Sequence, residues 1–324
     1  MKKTIAYIAG IIVAIQALSP PFEFNIYLYN SPLWFTWTFL MAGFLSAMFV
    51  FSKANIWLKI LIPYLFLNTF LSAAPHFSMM SFFGVIGCAY FYLLCKRIED
   101  WDAVIKIIFC VLMIQIFLLF LQGIGEDALL NFRQRAIGCY GTVGNAMQFK
   151  TLIILCFAFI IAAGKPKIAG RFPLALGVFI AASMICYGAA SKAFHYFAYA
   201  RGAVWLQTFA LSAVHPFFGF GVGTYKILFP VMGHGHFQAE GVWMSPHNFW
   251  LRILFETGAA GLAIILGYMV SLSGKCRGLT LFAAGLTCFT LAVYFPDCQS
   301  SAVPLLILLC AYIEKERPQW KIST

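Results

Sequence analysis

The sequence predicts an all-α, polytopic integral membrane bundle of about ten transmembrane helices, with one long outer loop that carries an amphipathic helix. Three observations carry this. The 324 residues are 62% hydrophobic and 10% charged, and the mean hydropathy is +0.87, a charge content too low for a soluble domain of this size. The apolar residues gather in unbroken runs, where a transmembrane barrel would alternate over segments of about ten residues. Lysine and arginine concentrate in alternate connecting segments, as the positive-inside rule requires. The net charge of +11 would suggest nucleic acid in a soluble protein; here topology accounts for most of it, and no nucleic-acid partner is expected.

The elements follow in order. Met1-Lys2-Lys3 and the apolar run behind it resemble a signal peptide, but Ser19-Pro20-Pro21 is a poor cleavage site and more spans follow, so the run is read as a retained first helix. Spans are expected at about 4–19, 33–52, 57–74, 79–95, 103–122, 145–163, 172–190, 259–274, 278–295 and 301–313, some needing flanking residues to cross. With the N-terminus inside, the inner side collects Lys2, Lys3, Lys53, Lys59, Lys96, Arg97, Lys106, Lys165, Lys167, Arg171, Lys275, Arg277, Lys315, Arg317 and Lys321, which is 15 of the 22 basic residues. Both termini are then cytoplasmic. The chain divides into helices 1–7 over residues 1–190, an outer loop over 191–247, and helices 8–10 with a tail over 248–324.

Most of the ten cysteines fall in or beside apolar runs and read as small packing residues. Cys139 and Cys298 lie in outer loops, where one disulfide could form. The seven remaining basic residues, Arg133, Arg135, Lys150, Lys192, Arg201, Lys226 and Arg252, sit in or beside the outer loops, and all six histidines map to the same side. For any one of them, exclusion of histidine from apolar spans and a functional role at the outer face are both open readings.

A structureless loop as long as 191–247 is uncommon unless it is functional. Its first half, Ala193 to Val214, interleaves aromatic and aliphatic residues with Lys192, His195, Arg201 and Gln207, which reads as an amphipathic helix at the membrane surface, ended by His215-Pro216. Its second half leads to Ser245-Pro246-His247-Asn248, a polar interruption before an apolar segment. Ser245 is expected to cap a helix with Pro246 at its first position, placing His247 and Asn248 in the first turn. The positive helix end there would keep His247 neutral and able to accept a proton. The segment from Asn248 to Gly274 is longer than one span, so a break is expected at Gly258. Arg252 and Glu256, four apart, can pair. Glu256 stands about half a turn out of phase with His247, which makes His247 the better base and the Arg252 and Glu256 pair structural. His234-Gly235-His236 lacks the further ligands of a metal site beyond Glu240 and reads as a solvated loop.

His247-Asn248-x9-Gly258-x2-Gly261 resembles the signature of the O-antigen ligase and polymerase superfamily, which includes bacterial O-oligosaccharyltransferases. Three further pieces agree in order: Gly138-Cys139-Tyr140-Gly141-Thr142-Val143-Gly144-Asn145, Arg201-x3-Trp205, and His215-Pro216-x2-Gly219-x-Gly221-x-Gly223-x-Tyr225. Together they cover about 130–270. The resemblance implies a glycosyltransferase of the bacterial inner membrane, without metal or other cofactor. Such an enzyme moves a glycan from an undecaprenyl diphosphate carrier to an acceptor hydroxyl on lipid A-core, growing polysaccharide or protein at the periplasmic face. The match makes Arg201 the first choice for leaving-group stabilisation, with Arg135 and Lys192 the next candidates, because guanidinium groups hold phosphate oxygens in a fixed fork. His247 is then the base, Asn248 contributes to substrate binding, and Trp205, Tyr225 and Trp243 can stack on sugars, although interfacial anchoring is the more common job of such aromatics. Two departures stand out: Ser191-Lys192 replaces the family's usual Ser-Arg, and only 193–200 separate it from the Arg-x3-Trp helix, where the family has two more helices. An inactive member is thus one alternative. A transporter or flippase of lipid-linked sugars is another, which should carry polar groups at mid-membrane on several spans.

Overall fold

The computed structural model describes residues 2–18, 55–123, 146–163, 202–232, 245, 246, 248–273 and 303–315. Every regular element among them is an α-helix and none is a strand. They are α1 (Lys2–Leu18), α2 (Ile56–Phe70), α3 (Pro75–Cys95), α4 (Trp101–Gly123), α5 (Ala146–Ala163), α6 (202–212), α7 (Tyr225–Met232), α8 (Phe249–Ser273) and α9 (Val303–Lys315). Helices satisfy their own backbone polar groups, which is what a hydrocarbon environment requires. By length and composition three of them can cross a bilayer: Pro75–Cys95, Trp101–Leu118 and Phe249–Leu272. The runs expected at 33–52, 172–190 and 278–295 lie outside the described residues, as do Cys139 and Cys298.

Two packing centres organise what is described. The larger joins α1, α3, α4, α5 and α9 through Val13, Phe91, Ile108, Leu155, Phe159 and Leu308, all buried. Trp101, Phe159 and Tyr312 pack their rings edge to face within it. At one end of this bundle Glu314 of α9 accepts from Asn55 and pairs with Lys96, both at 3.1 Å, tying α9 to the start of α2 and the end of α3. The smaller centre gathers Val204 of α6, Phe220, Tyr225 and Phe229 around Phe255 of α8. A third group, Leu65, Phe82 and Val222, links it to the α2 and α3 hairpin. The polar segment singled out in the sequence belongs to this second region.

Helix α8 breaks where the sequence predicts. Gly258 takes φ 64° and ψ −172° inside an otherwise helical segment, a backbone region essentially closed to residues with a Cβ. Its start differs from expectation. Asn248, not Ser245, is the cap: its Oδ1 accepts from the Leu251 amide and its carbonyl from the Arg252 amide, both at 3.1 Å. Asparagine caps as well as serine, and the carbonyl of Pro246 is held by the Trp205 indole at 2.7 Å, outside the helix.

Candidate functional site

The centre of the site is a loop threaded between three helices. Residues 215–224 run from the end of α6 to the start of α7, and Gly219, Gly221 and Gly223 all have positive φ, at 67°, 111° and 79°. These alternate glycines let the strand-like segment lie flat against its neighbours. A Cβ at Gly219 would stand 2.6 Å from the Glu256 carbonyl carbon, the Gly258 nitrogen and the Phe255 oxygen, and one at Gly221 or Gly223 would collide with the serines of the α2 and α3 hairpin. The kink at Gly258 opens α8 to receive the loop. Freed there, the carbonyls of Phe255 and Glu256 accept from the Phe220 and Gly221 amides, both at 2.9 Å. In the other direction the Ala259 and Ala260 amides donate to the Pro216 and Phe217 carbonyls at 2.7 and 3.3 Å. The glycine loop and the broken helix therefore exchange backbone bonds as two strands would.

Helix α2 supplies a third wall that the sequence reading missed. Tyr64 and Asn68 stand four apart on one face of this apolar helix, Ser72 follows four residues later in the turn to α3, and all three grip the loop. Tyr64 donates to the carbonyls of Phe217 and Thr257. Asn68 is buried; its Nδ2 donates to Phe218 at 2.5 Å and its Oδ1 accepts from Val222 at 2.9 Å. Ser72 donates to Phe220 at 3.1 Å and shares a 2.6 Å bond with Ser78. The signal was legible as polar residues at i, i+4 and i+8 within the run 57–74, a spacing that puts them on one helix face.

Beneath the loop lies an ion pair. Arg252 Nε and Glu256 Oε1 are 2.9 Å apart, with the residues 6% and 2% exposed. Glu256 also accepts from the Tyr225 amide at 3.3 Å. This is the pairing expected at four-residue spacing, and it anchors the start of α7 to α8.

The sequence-predicted site residues divide sharply. Trp205 is half-buried and its indole bond to Pro246 joins α6 to the stretch that contains His247. Asn248 serves as helix cap. Tyr225, expected to stack on a sugar, is 0% exposed: one ring face lies parallel to Phe229 at 4.7 Å, Phe255 approaches edge on, and the hydroxyl shares a 2.8 Å bond with Thr208. Burial pushes its phenol well above the ordinary range, opposed by the Thr208 bond and by Arg252. Its aromatic surface is used for packing. His247, Arg201, Arg135, Lys192 and Trp243 lie outside the described residues, as do His234 and His236.

This arrangement limits the chemistry of the loop. A glycine-rich segment can cradle phosphate when its amides point free into a cleft. Here the amides of Gly219, Phe220, Gly221, Val222, Thr224 and Tyr225 all donate within the protein. The glycines serve close backbone approach, and an anion at this site would depend on side-chain cations. No family model matches the chain, and no curated protein matches it.

Proposed function

We propose that the chain is a ten-span, metal-independent glycosyltransferase of the O-antigen ligase class, with both termini cytoplasmic and its working face periplasmic. The observation that carries this reading is convergence. Three of the four separated pieces that bear the resemblance meet in one place: α6 with Trp205, the glycine loop 215–225, and the stretch from Pro246 to Gly261 are joined by the indole bond to Pro246 and the backbone exchange at Gly258. Pieces spread over 60 residues of a loop and a span gain a common purpose from such an assembly.

In the proposed reaction the acceptor hydroxyl oxygen attacks the anomeric carbon of the lipid-linked glycan. The bond from that carbon to the diphosphate oxygen breaks as the new glycosidic bond forms. The acceptor proton passes to His247, and undecaprenyl diphosphate leaves with its charge stabilised by Arg201, aided by Arg135 and Lys192. Asn248, Trp205 and Trp243 belong to the substrate-binding surround; Asn248 and Trp205 act there by fixing the backbone on either side of residue 247. Tyr225 acts only by packing.

Two features bear on the transporter reading: the polar residues of α2 and the broken helix α8, since transporters build midplane sites from discontinuous helices. Against it, Tyr64, Asn68 and Ser72 spend their hydrogen bonds on the glycine loop rather than facing a pathway. Reconstitution with an undecaprenyl-diphosphate-linked glycan and lipid A-core decides between them. Glycan transfer by the wild type, lost in His247→Ala and Arg201→Ala, supports the enzyme. Transbilayer movement of the donor without transfer supports the transporter, and full transfer by both variants removes the assignment of these residues.

A further inference from the structure

Helix α6 has an apolar outer face, which is unexpected for an element that faces water. Its buried side carries Val204 together with Thr208 and Ser212, whose hydroxyls bond back to the Val204 and Thr208 carbonyls at 2.7 Å. Its exposed side carries Leu206 and Phe209, 75% and 62% exposed and one turn apart. The chain beyond it continues the apolar surface through Val214, Phe217 and Phe218, with Phe217 71% exposed. An amphipathic helix in water keeps its outer face polar; this one carries apolar residues on its outer face as well as on its buried one.

Three observations say what covers that surface. It is continuous with the apolar flank of α2, where Leu67 and Leu71, next in sequence to Asn68 and Ser72, are exposed; the Tyr64 ring stacks on Phe218 with centroids 6.1 Å apart. The loop is also held along the neighbouring helices as well as at the turn that joins them. From the end of α2 at Phe70 back to Tyr64, which grips Phe217, is about 9 Å of helix, and Gly223 packs on Ser81, about 9 Å beyond the start of α3, a helix long enough to cross a bilayer. Finally, irregular backbone survives at that depth when its polar groups find partners within the protein, and the Gly219, Phe220, Gly221 and Val222 amides and the Pro216, Phe217, Phe218 and Phe220 carbonyls all do.

We infer that residues 206–218 form a membrane-inserted element whose exposed apolar face is covered by the acyl chains of the bilayer. The inference is independent of the transfer chemistry. It is tested by placing the photoreactive residue p-benzoylphenylalanine at Phe209 or Phe217, with Phe66 on the exposed flank of α2 as reference, in vesicles of phosphatidylcholine and phosphatidylglycerol. Illumination should give phospholipid adducts at 209 and 217 within about twofold of the yield at 66. Adducts to a second copy of the chain, or none at either position while 66 reacts, would overturn it. A parallel measurement needs no bulky residue: Phe209→Cys and Phe217→Cys should resist a membrane-impermeant maleimide in intact vesicles and react after detergent is added. Rapid reaction in intact vesicles refutes the insertion.

Discussion

Arg252→Met tests the core of the site. The guanidinium and carboxylate it would separate are 2.9 Å apart, with side chains only 7% and 2% exposed. Without Arg252, the Glu256 carboxylate stays buried with the 3.3 Å bond from the Tyr225 amide. Removing one partner of such a pair costs about 3–5 kcal/mol. At about 2–4 °C per kcal/mol, the unfolding midpoint should fall by roughly 6–20 °C. The double variant Arg252→Met with Glu256→Leu replaces the pair by apolar groups and should recover most of the loss, less about 1 kcal/mol for the Tyr225 amide left without its acceptor. The coupling in the double-mutant cycle should then be at least ~2 kcal/mol. The assay is the apparent unfolding midpoint of purified protein in one detergent, followed by intrinsic fluorescence. A drop below about 3 °C for Arg252→Met, or simple additivity in the cycle, would refute a structural role for the pair.

Further outcomes follow from the same geometry. Gly258→Ala should abolish the folded state, because a Cβ there meets the Phe217 backbone and φ is +64°, whereas Gly84→Ala, with open space around it, should be neutral or stabilising by up to about 1 kcal/mol; size-exclusion profiles and unfolding midpoints of the two compare directly. Asn68→Leu keeps the volume but strands the Phe218 carbonyl and Val222 amide, and should cost about 2–4 kcal/mol in the same unfolding assay. Tyr225→Phe should change the alkaline limb of stability. A phenol raised by burial keeps its proton in the folded state after the unfolded chain has lost it near pH 10, so stability falls as pH rises above about 10. The wild type should lose stability there faster than Tyr225→Phe, and parallel curves would count against a buried, protonated Tyr225.

What could be read without coordinates was what local rules control. The break at Gly258 followed from a segment too long for one span, and the Arg252 and Glu256 pair from four-residue spacing on one helix face. The start of α8 was misjudged by three residues because serine, proline and asparagine stand in a row and each fits a cap; the choice was made by Trp205, 41 positions earlier, which holds the Pro246 carbonyl. Tyr225 looked like a stacking residue because an aromatic in a polar loop has no local sign of burial; its surroundings come from α6 and α8. The glycines advertised close approach, but whether to phosphate or to backbone was decided by Phe255 and Glu256, whose carbonyls take up the amides.

The grip of α2 on the glycine loop also sets an order of events during synthesis. Asn68 and its partner Phe218 are 150 residues apart, so at roughly 5–20 residues per second the helix emerges about 8–30 s before the segment it holds. For that interval Tyr64, Asn68 and Ser72 have none of their loop partners. A chain stalled between α3 and α6 would leave those polar groups without their loop partners on and beside an otherwise apolar helix, a recognisable mark for membrane quality control. Removing those groups should let the truncated hairpin persist longer than the native one, although the full-length protein would be less stable.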